Sequence, residues 1–385
     1  MRRIPLRLGI GAGVILLVLV SIVVFTTVFH PSAPSVTPTS TPRSQISINC
    51  AIGSEKADLM NDTQVQKLLA DRDGIRVNFQ SMGSIDQVSL STDELRNRNL
   101  DCLWPSSAAA QQVFEAKHPT KEFPDYRAEN ILTSPEVIYA GPDGTNVLMK
   151  AGIVEKRGNS YYIIKMKDLL VNYVLKGKHW EDLGTQAIQG PIAIGSTNPA
   201  QSNSGFTMYM LQLIIVATND PYKTPSLTEA KSVLPTIRRL YDAQGLQAKS
   251  SSYGFDQWLI EGGELRSPLY ASYENLIIQR VVQSPQDAAQ LSQNVRILYP
   301  DPTVYNEHPI LALDKNGQRL IDAMKDKDIQ TIAWKKFGFR SIVFGVTNIG
   351  NFAQLPLADK FHITNVPGAD VILALNNCLK NNVCR

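Results

Sequence analysis

The residues best suited to chemistry fall in one stretch. Asn198, Pro199, Ala200, Gln201, Ser202, Asn203, Ser204 and Gly205 stand between the apolar run 192–194 and a long apolar segment, 206–215. A short β-branched run reads as a covered strand, and Ser, Asn and Gly directly before an apolar-periodic run mark a helix start. Strand, hydroxyl-rich loop and helix therefore follow one another. The first turn of a helix carries N–H groups without intrahelical partners and a partial positive charge. Such a loop can hold a small anion or polar oxygen without Lys or Arg. The alternative is that Ser202 or Ser204 only caps the helix that follows.

The elements that must position this loop recur along the chain. Residues 45–52 alternate like a strand and lead into Gly53, Ser54, Glu55 and Lys56, which open a helix containing Leu59, Val65, Leu68 and Leu69. A second strand, 75–79, runs on to Gly83 and Ser84, and a third, 100–104, ends in Pro105, Ser106 and Ser107. Strand, loop and helix in repetition predict a parallel sheet with helices on both faces, whose ligands collect beyond the carboxyl ends of the strands. Each serine alone is a cap or turn residue; together, at corresponding strand ends, they predict a polar rim. Glu55 and Lys56 are weaker candidates, because charges at a helix start are commonly solvated.

Further on, 131–141 reads as a strand, 153–164 as a hairpin around Gly158 and Asn159, and 166–175 as a helix. The segment 204–217 is a helix apolar nearly all round, which places Met208 and Met210 in the core rather than against a cofactor. A strand is expected at 295–300 and helices at 318–337 and 370–379. His308 invites a catalytic pairing with one of the serines, but there is no Gly-x-Ser-x-Gly elbow.

The loop Asn198-Pro199-Ala200-Gln201-Ser202-Asn203-Ser204-Gly205 resembles the loop that opens a helix in the second lobe of bacterial extracellular solute-binding proteins. Gly53 to Lys56, Gly83-Ser84, Pro105 to Ser107, Tyr273-Glu274-Asn275, Tyr299 to Pro302 and His308-Pro309 are similar to segments of the same superfamily in the same order. The resemblance spans roughly 46–345. It implies an α/β, two-lobed type II periplasmic-binding fold: lobe 1 from 46–138 with 272–385, lobe 2 from 139–271. It also implies hinge closure on a small molecule, with an ABC-transporter permease or another envelope protein as partner. The implied ligand residues are Ser54, Ser84, Ser107, Ser202, Ser204 and Tyr273, neutral donors sufficient for an oxyanion, and Glu274 would hold the hinge or cap the next helix. No cofactor and no enzymatic activity are implied.

Residues 1–7 carry three arginines and precede an uncharged apolar run, 8–29, long enough to cross a bilayer. The positive-inside rule puts the N-terminus in the cytoplasm and the remainder outside. The run ends in Phe29, His30 and Pro31 without a cleavage motif, so an uncleaved anchor is expected, late cleavage near Ala33 being the rival. Residues 30–45, rich in Pro, Ser and Thr, form a tether. Four cysteines in an exported chain predict disulfides. Three pairings are possible; a short bridge could close the loop-like segment between Cys378 and Cys384. Cys50 would then pair with Cys102, which the implied fold allows because the first and third strands are neighbours in such a sheet. No histidine sits beside a cysteine, which argues against a metal site. A net charge of +3, with both signs mixed, excludes nucleic acid as a partner. Two other readings remain: a ligand-independent envelope sensor or scaffold, and an exported hydrolase using Ser106 or Ser204.

Overall fold

The structure, a computed structural model, describes residues 45–158, 161–245 and 247–385. The expected anchor 8–29, the tether up to residue 44 and Asn159 of the hairpin lie outside the described residues. Among the described residues no helix is long and apolar enough to cross a membrane.

Ten strands are described: β1 (Ile46–Ile52), β2 (Ile75–Ser81), β3 (Cys102–Trp104), β4 (Arg127–Ala140), β5 (Val154–Arg157), β6 (Tyr161–Lys165), β7 (Leu269–Tyr273), β8 (Arg296–Asp301), β9 (Tyr305–Ala312) and β10 (Arg340–Ser341). They connect in the order β2-β1-β3-β9-β4-β8-β6-β5, with β7 and β10 also on β4. β1 is parallel to β2 and β3, the expected arrangement. The 14-residue β4 serves two sheets: its stretch up to Pro135 pairs with β9, and from Glu136 on it pairs with β7 and β8. A chain buried from Ile131 to Ala140 thus joins the lobes. β8, placed with lobe 1 in the sequence division, hydrogen-bonds between β4 and β6 in the second sheet.

Six helices matter for the site: α1 (Asn203–Thr218), α2 (Leu227–Asp242), α3 (Glu274–Gln283), α4 (Lys315–Met324), α5 (Lys327–Phe337) and α6 (Ala369–Asn381). α1 is buried along almost its whole length, as a sequence apolar nearly all round requires. The single helix expected over 318–337 is two, because Asp326 breaks it and caps α5 by accepting from the backbone N–H groups of Asp328 and Ile329 at 2.8 and 3.2 Å. The segment around Cys378 is the end of α6 rather than a loop, closed by Asn382 in the left-handed conformation. Both expected disulfides are present, Cys50–Cys102 between paired positions of β1 and β3 and Cys378–Cys384 across the end of α6, with Cα separations of 4.7 and 4.4 Å. Between α5 and α6 the chain packs Phe352, Leu355, Leu357 and Ala358 into the core around Tyr299 and Trp334.

Two buried carboxylates flank the crossing. Glu274, first residue of α3, accepts from Arg340 Nε and Nη2, each at 2.7 Å, and Arg340 also donates to the Ala358 carbonyl at 2.6 Å. Removing the cation leaves a buried charge unpaired, a loss of about 3–5 kcal/mol. Arg340→Met should therefore lower unfolding stability in urea by that amount, and Glu274→Gln added to it should restore a large part.

Glu136 sits where β4 changes sheets, fully buried, with one hydrogen bond, from Asn306 Nδ2 at 3.1 Å; its Oε1 has no partner among the described residues. Burial raises its pKa well above the ordinary 4.5, against a smaller opposing effect of Asn306. The folded state thus favours the protonated acid, and stability falls as pH rises above the ordinary value, by up to about 1.4 kcal/mol per pH unit. Glu136→Gln should match the parent near pH 4 and unfold at a higher temperature at pH 8; a lower midpoint at pH 8 would show the carboxylate to be ionised and compensated.

Candidate functional site

Beyond the carboxyl ends of β1, β2 and β3, the loops of the first lobe face the start of α1. A cavity of about 110 Å³ lies between them, lined on one side by Ser54, Glu55, Ser84 and Ser106 and on the other by Ser202 and Ser251. A single buried water needs only ~10–15 Å³, so there is room for a small ligand, though less than the roughly 300–1,000 Å³ of typical small-molecule sites. A larger groove of about 530 Å³, around Tyr162 and Arg296, shares no lining residue with it.

The first-lobe wall is built on a charge pair. Lys56 is fully buried and Glu55 nearly so. Lys56 Nζ donates to Glu55 Oε1 and to Ser106 Oγ, the latter at 2.7 Å, and lies 3.2 Å from His308 Nδ1. Ser106 Oγ donates to the same Glu55 oxygen. Gly53 makes room: a Cβ there would come within 2.5 Å of both Glu55 Oε1 and Ser106 Oγ. Burial pushes the Glu55 carboxyl up, but Lys56 and His308 together outweigh it and hold the group well below the usual carboxylate range. Burial pulls the Lys56 ammonium below its ordinary value against the attraction of Glu55. Burial, reinforced by Lys56, pushes His308 down to about 4, so the imidazole is neutral at physiological pH.

The second-lobe wall is a hydroxyl network. Ser202 Oγ lies 2.9 Å from Ser251 Oγ and 3.4 Å from Ser204 Oγ; Ser204 Oγ is 2.9 Å from both Ser251 Oγ and Thr197 Oγ1. Asn203 crosses the gap, its Nδ2 donating to the Ser106 carbonyl and to Tyr273 Oη, each at 2.9 Å. Thr207 Oγ1 and Asn203 Nδ2 both reach Asn306 Oδ1, at 3.0 and 3.5 Å, which continues the network to Glu136.

Of the residues expected from sequence, Ser54, Ser84 and Ser202 line the cavity. Ser84 Oγ also accepts from the Ser106 amide at 2.9 Å. Ser204 and Tyr273 lie one layer behind, fully buried. Ser107 is spent on capping the helix Ala108–Lys117, accepting from the Ala109 amide at 3.0 Å. Neither Ser202 nor Ser204 makes a side-chain cap on α1; the Gly205 amide instead donates to Thr197 Oγ1 at 3.0 Å. Glu55 and Lys56, the weaker candidates in the sequence, are buried because β1 delivers their turn beside Ser106, which follows β3, and His308 of β9. Asn203, Ser251 and Ser106 were missed as cavity residues; no spacing signal distinguishes them from ordinary loop residues.

Hydrolysis is not favoured by this arrangement. Ser106 gives its proton to a carboxylate too acidic to serve as a base, and His308 Nδ1 faces Lys56 and Glu55, at 3.2 and 3.5 Å. Among the described residues no three His, Cys, Asp or Glu side chains converge to hold a metal ion.

The lobes also meet through α6. Arg238 of α2 donates to the Cys378 and Leu379 carbonyls at 3.2 and 3.1 Å, Lys380 pairs with Asp86 at 2.6 Å, and Val371, Leu375 and Leu379 share one core with Val113 and Leu234.

No protein-family model and no curated protein matches the chain. Solved structures do. Iron-bound HitA from Pseudomonas aeruginosa is 12% identical, over 87% of this chain and 99% of that one, with a TM-score of 0.53. A solute-binding protein of an ABC transporter from Thermotoga lettingae, bound with alpha-D-tagatose, is 13% identical over 88% and 95%, with a TM-score of 0.52. The sulfate-binding protein SubI from Mycobacterium tuberculosis is 14% identical over 85% and 96%, with a TM-score of 0.50. At such identities the likeness speaks to fold and leaves the ligand open. The chain has the two-lobed fold of the type II periplasmic solute-binding proteins.

Proposed function

We propose that the chain is an extracytoplasmic solute-binding protein, held to the membrane by residues 8–29, whose lobes close on a small polar ligand for transport or sensing. The lobes are 46–138 with 272–385, and 139–271, except that β8 joins the sheet of the second lobe. One observation carries the reading: a polar cavity at the strand ends is lined from both lobes and bridged by Asn203 to Ser106. A ligand there touches both walls only when they are together, so it favours the closed state by its differential affinity. Oxyanions belong among the classes to be tested, because hydroxyls and a helix start can in general donate to them. An ABC-transporter permease or another envelope protein would read the closed form.

A second reading has its own support. α6 packs on both lobes, so opening must break apolar contacts, which favours a scaffold that stays closed without ligand and engages a protein partner.

Thermal unfolding of the purified full-length chain against oxyanions, sugars, amino acids and metal ions separates the two. A ligand bound only by the native state adds about 2.7 kcal/mol at a hundredfold excess over Kd. Gly83 supplies the control: a Cβ there would lie 2.4 Å from the Gln201 carbonyl oxygen on the opposite wall, so Gly83→Leu should hold the lobes apart. A midpoint shift lost in Gly83→Leu is the expected result. No shift with any compound would overturn solute binding and leave the scaffold.

A further inference from the structure

The cavity holds one charge that is not fully used. Among the described residues, the polar contacts to the Glu55 carboxylate fall on Oε1, from Lys56 Nζ, Ser106 Oγ and His308 Nδ1. Oε2 takes none of them, and the carboxylate lines the cavity. An ammonium has three donors. Lys56 Nζ is turned to Glu55 Oε1, Ser106 Oγ and His308 Nδ1, and Lys56 is not among the residues that line the cavity. At the start of α1 the Gly205 amide is likewise taken, by Thr197. Lys249 stands on the exposed edge, where solvent and salt screen it. A fully deprotonated anion in this space would face an ionised carboxylate on one wall, with the Lys56 ammonium already directed at Oε1. A group that carries a proton meets a strong acceptor. The same cavity is lined by Ser54, Ser84, Ser202 and Ser251, whose hydroxyls both donate and accept.

We propose that Glu55 selects the ligand: its Oε2 accepts a hydrogen bond from a hydroxyl or ammonium group on a molecule of a few heavy atoms, and fully deprotonated oxyanions are turned away. This rests on the solute-binding reading above and narrows it from any polar solute to hydrogen-bond donors. The serines then bind the remaining hydroxyls, and the Lys56–Ser106–His308 set keeps the carboxylate ionised and aimed.

The test uses the full-length chain at pH 7.5 with glycerol and erythritol as hydroxyl probes, ethanolamine as the ammonium probe, and sulfate and molybdate as deprotonated oxyanions. Thermal unfolding and calorimetry are read for the parent, for Glu55→Gln, and for Glu55→Gln with Lys56→Met, which removes both buried charges in case the single variant does not fold. Expected are midpoint shifts with a hydroxyl or ammonium probe and none with sulfate or molybdate. Loss of a hydrogen bond to a charged acceptor should weaken the effective probe roughly ten- to hundredfold in whichever variant folds. Which of the two donor types binds identifies the source of the proton. Sulfate or molybdate binding that Gly83→Leu abolishes would overturn the selectivity of Glu55 while leaving solute binding intact, as would a donor probe whose affinity is unchanged in both variants. If no compound in this or the broader panel binds, solute binding itself falls and takes this assignment with it.

Discussion

The double service of β4 is the constraint on which the rest depends. One extended segment cannot belong to two sheets without fixing where they meet, and here the change of partner falls between Pro135 and Glu136. β7 returns beside it, with Tyr273 opposite Glu136, so the chain comes back to the first lobe at the same level. The rim of β1, β2 and β3 and the first turn of α1 are thereby set face to face. Asn203 reaches from one to the other because the joint leaves them a hydrogen bond apart.

The material around the joint is unusually polar for an interior. Glu55, Lys56, Glu136, Asn203, Glu274, Asn306 and His308 are all buried. Taking an ion out of water costs several kcal/mol, recovered only where a partner and further hydrogen bonds meet it. The Glu274–Arg340 and Glu55–Lys56 pairs satisfy that condition, whereas at Glu136 burial favours the protonated acid. A core of apolar side chains would be as stable with fewer conditions to satisfy, so these groups contribute position rather than net stability. Gly53 belongs to the same economy of space: its backbone is ordinary, at φ −66°, and the side chain it lacks is what admits the carboxylate.

The hydroxyls blur structure and binding. Ser84 holds the Ser106 amide while facing the cavity, and Ser204 and Ser251 keep Ser202 oriented. A serine at a strand end can therefore serve the fold and the ligand together. Ser107, at the same kind of position, serves only the helix it caps. The difference is one residue of register, which turns the side chain of Ser106 toward Lys56 and that of Ser107 toward the next helix.

Local pattern determined much of this protein. Alternating and β-branched runs marked β1, β2, β4 and β8, the apolar stretch marked α1, and the even number of cysteines pointed to bridges, the pairing of Cys50 with Cys102 resting on the implied fold. These are legible because the pleat of a strand and the turn of a helix impose their periods within a few residues. The serine rim was legible for the same reason, since loops follow strands in sequence order. Tertiary structure decided the rest. Burial of Glu55 and Lys56 depends on His308, some 250 positions away, and Asn203 acquires its role only when Ser106 arrives opposite. The division of α4 from α5 and the seating of α6 across both lobes depend likewise on what lies beneath them. Sequence spacing records which side chains share an element; which charges meet in low dielectric is set by contacts between elements, and only the folded chain brings those into being.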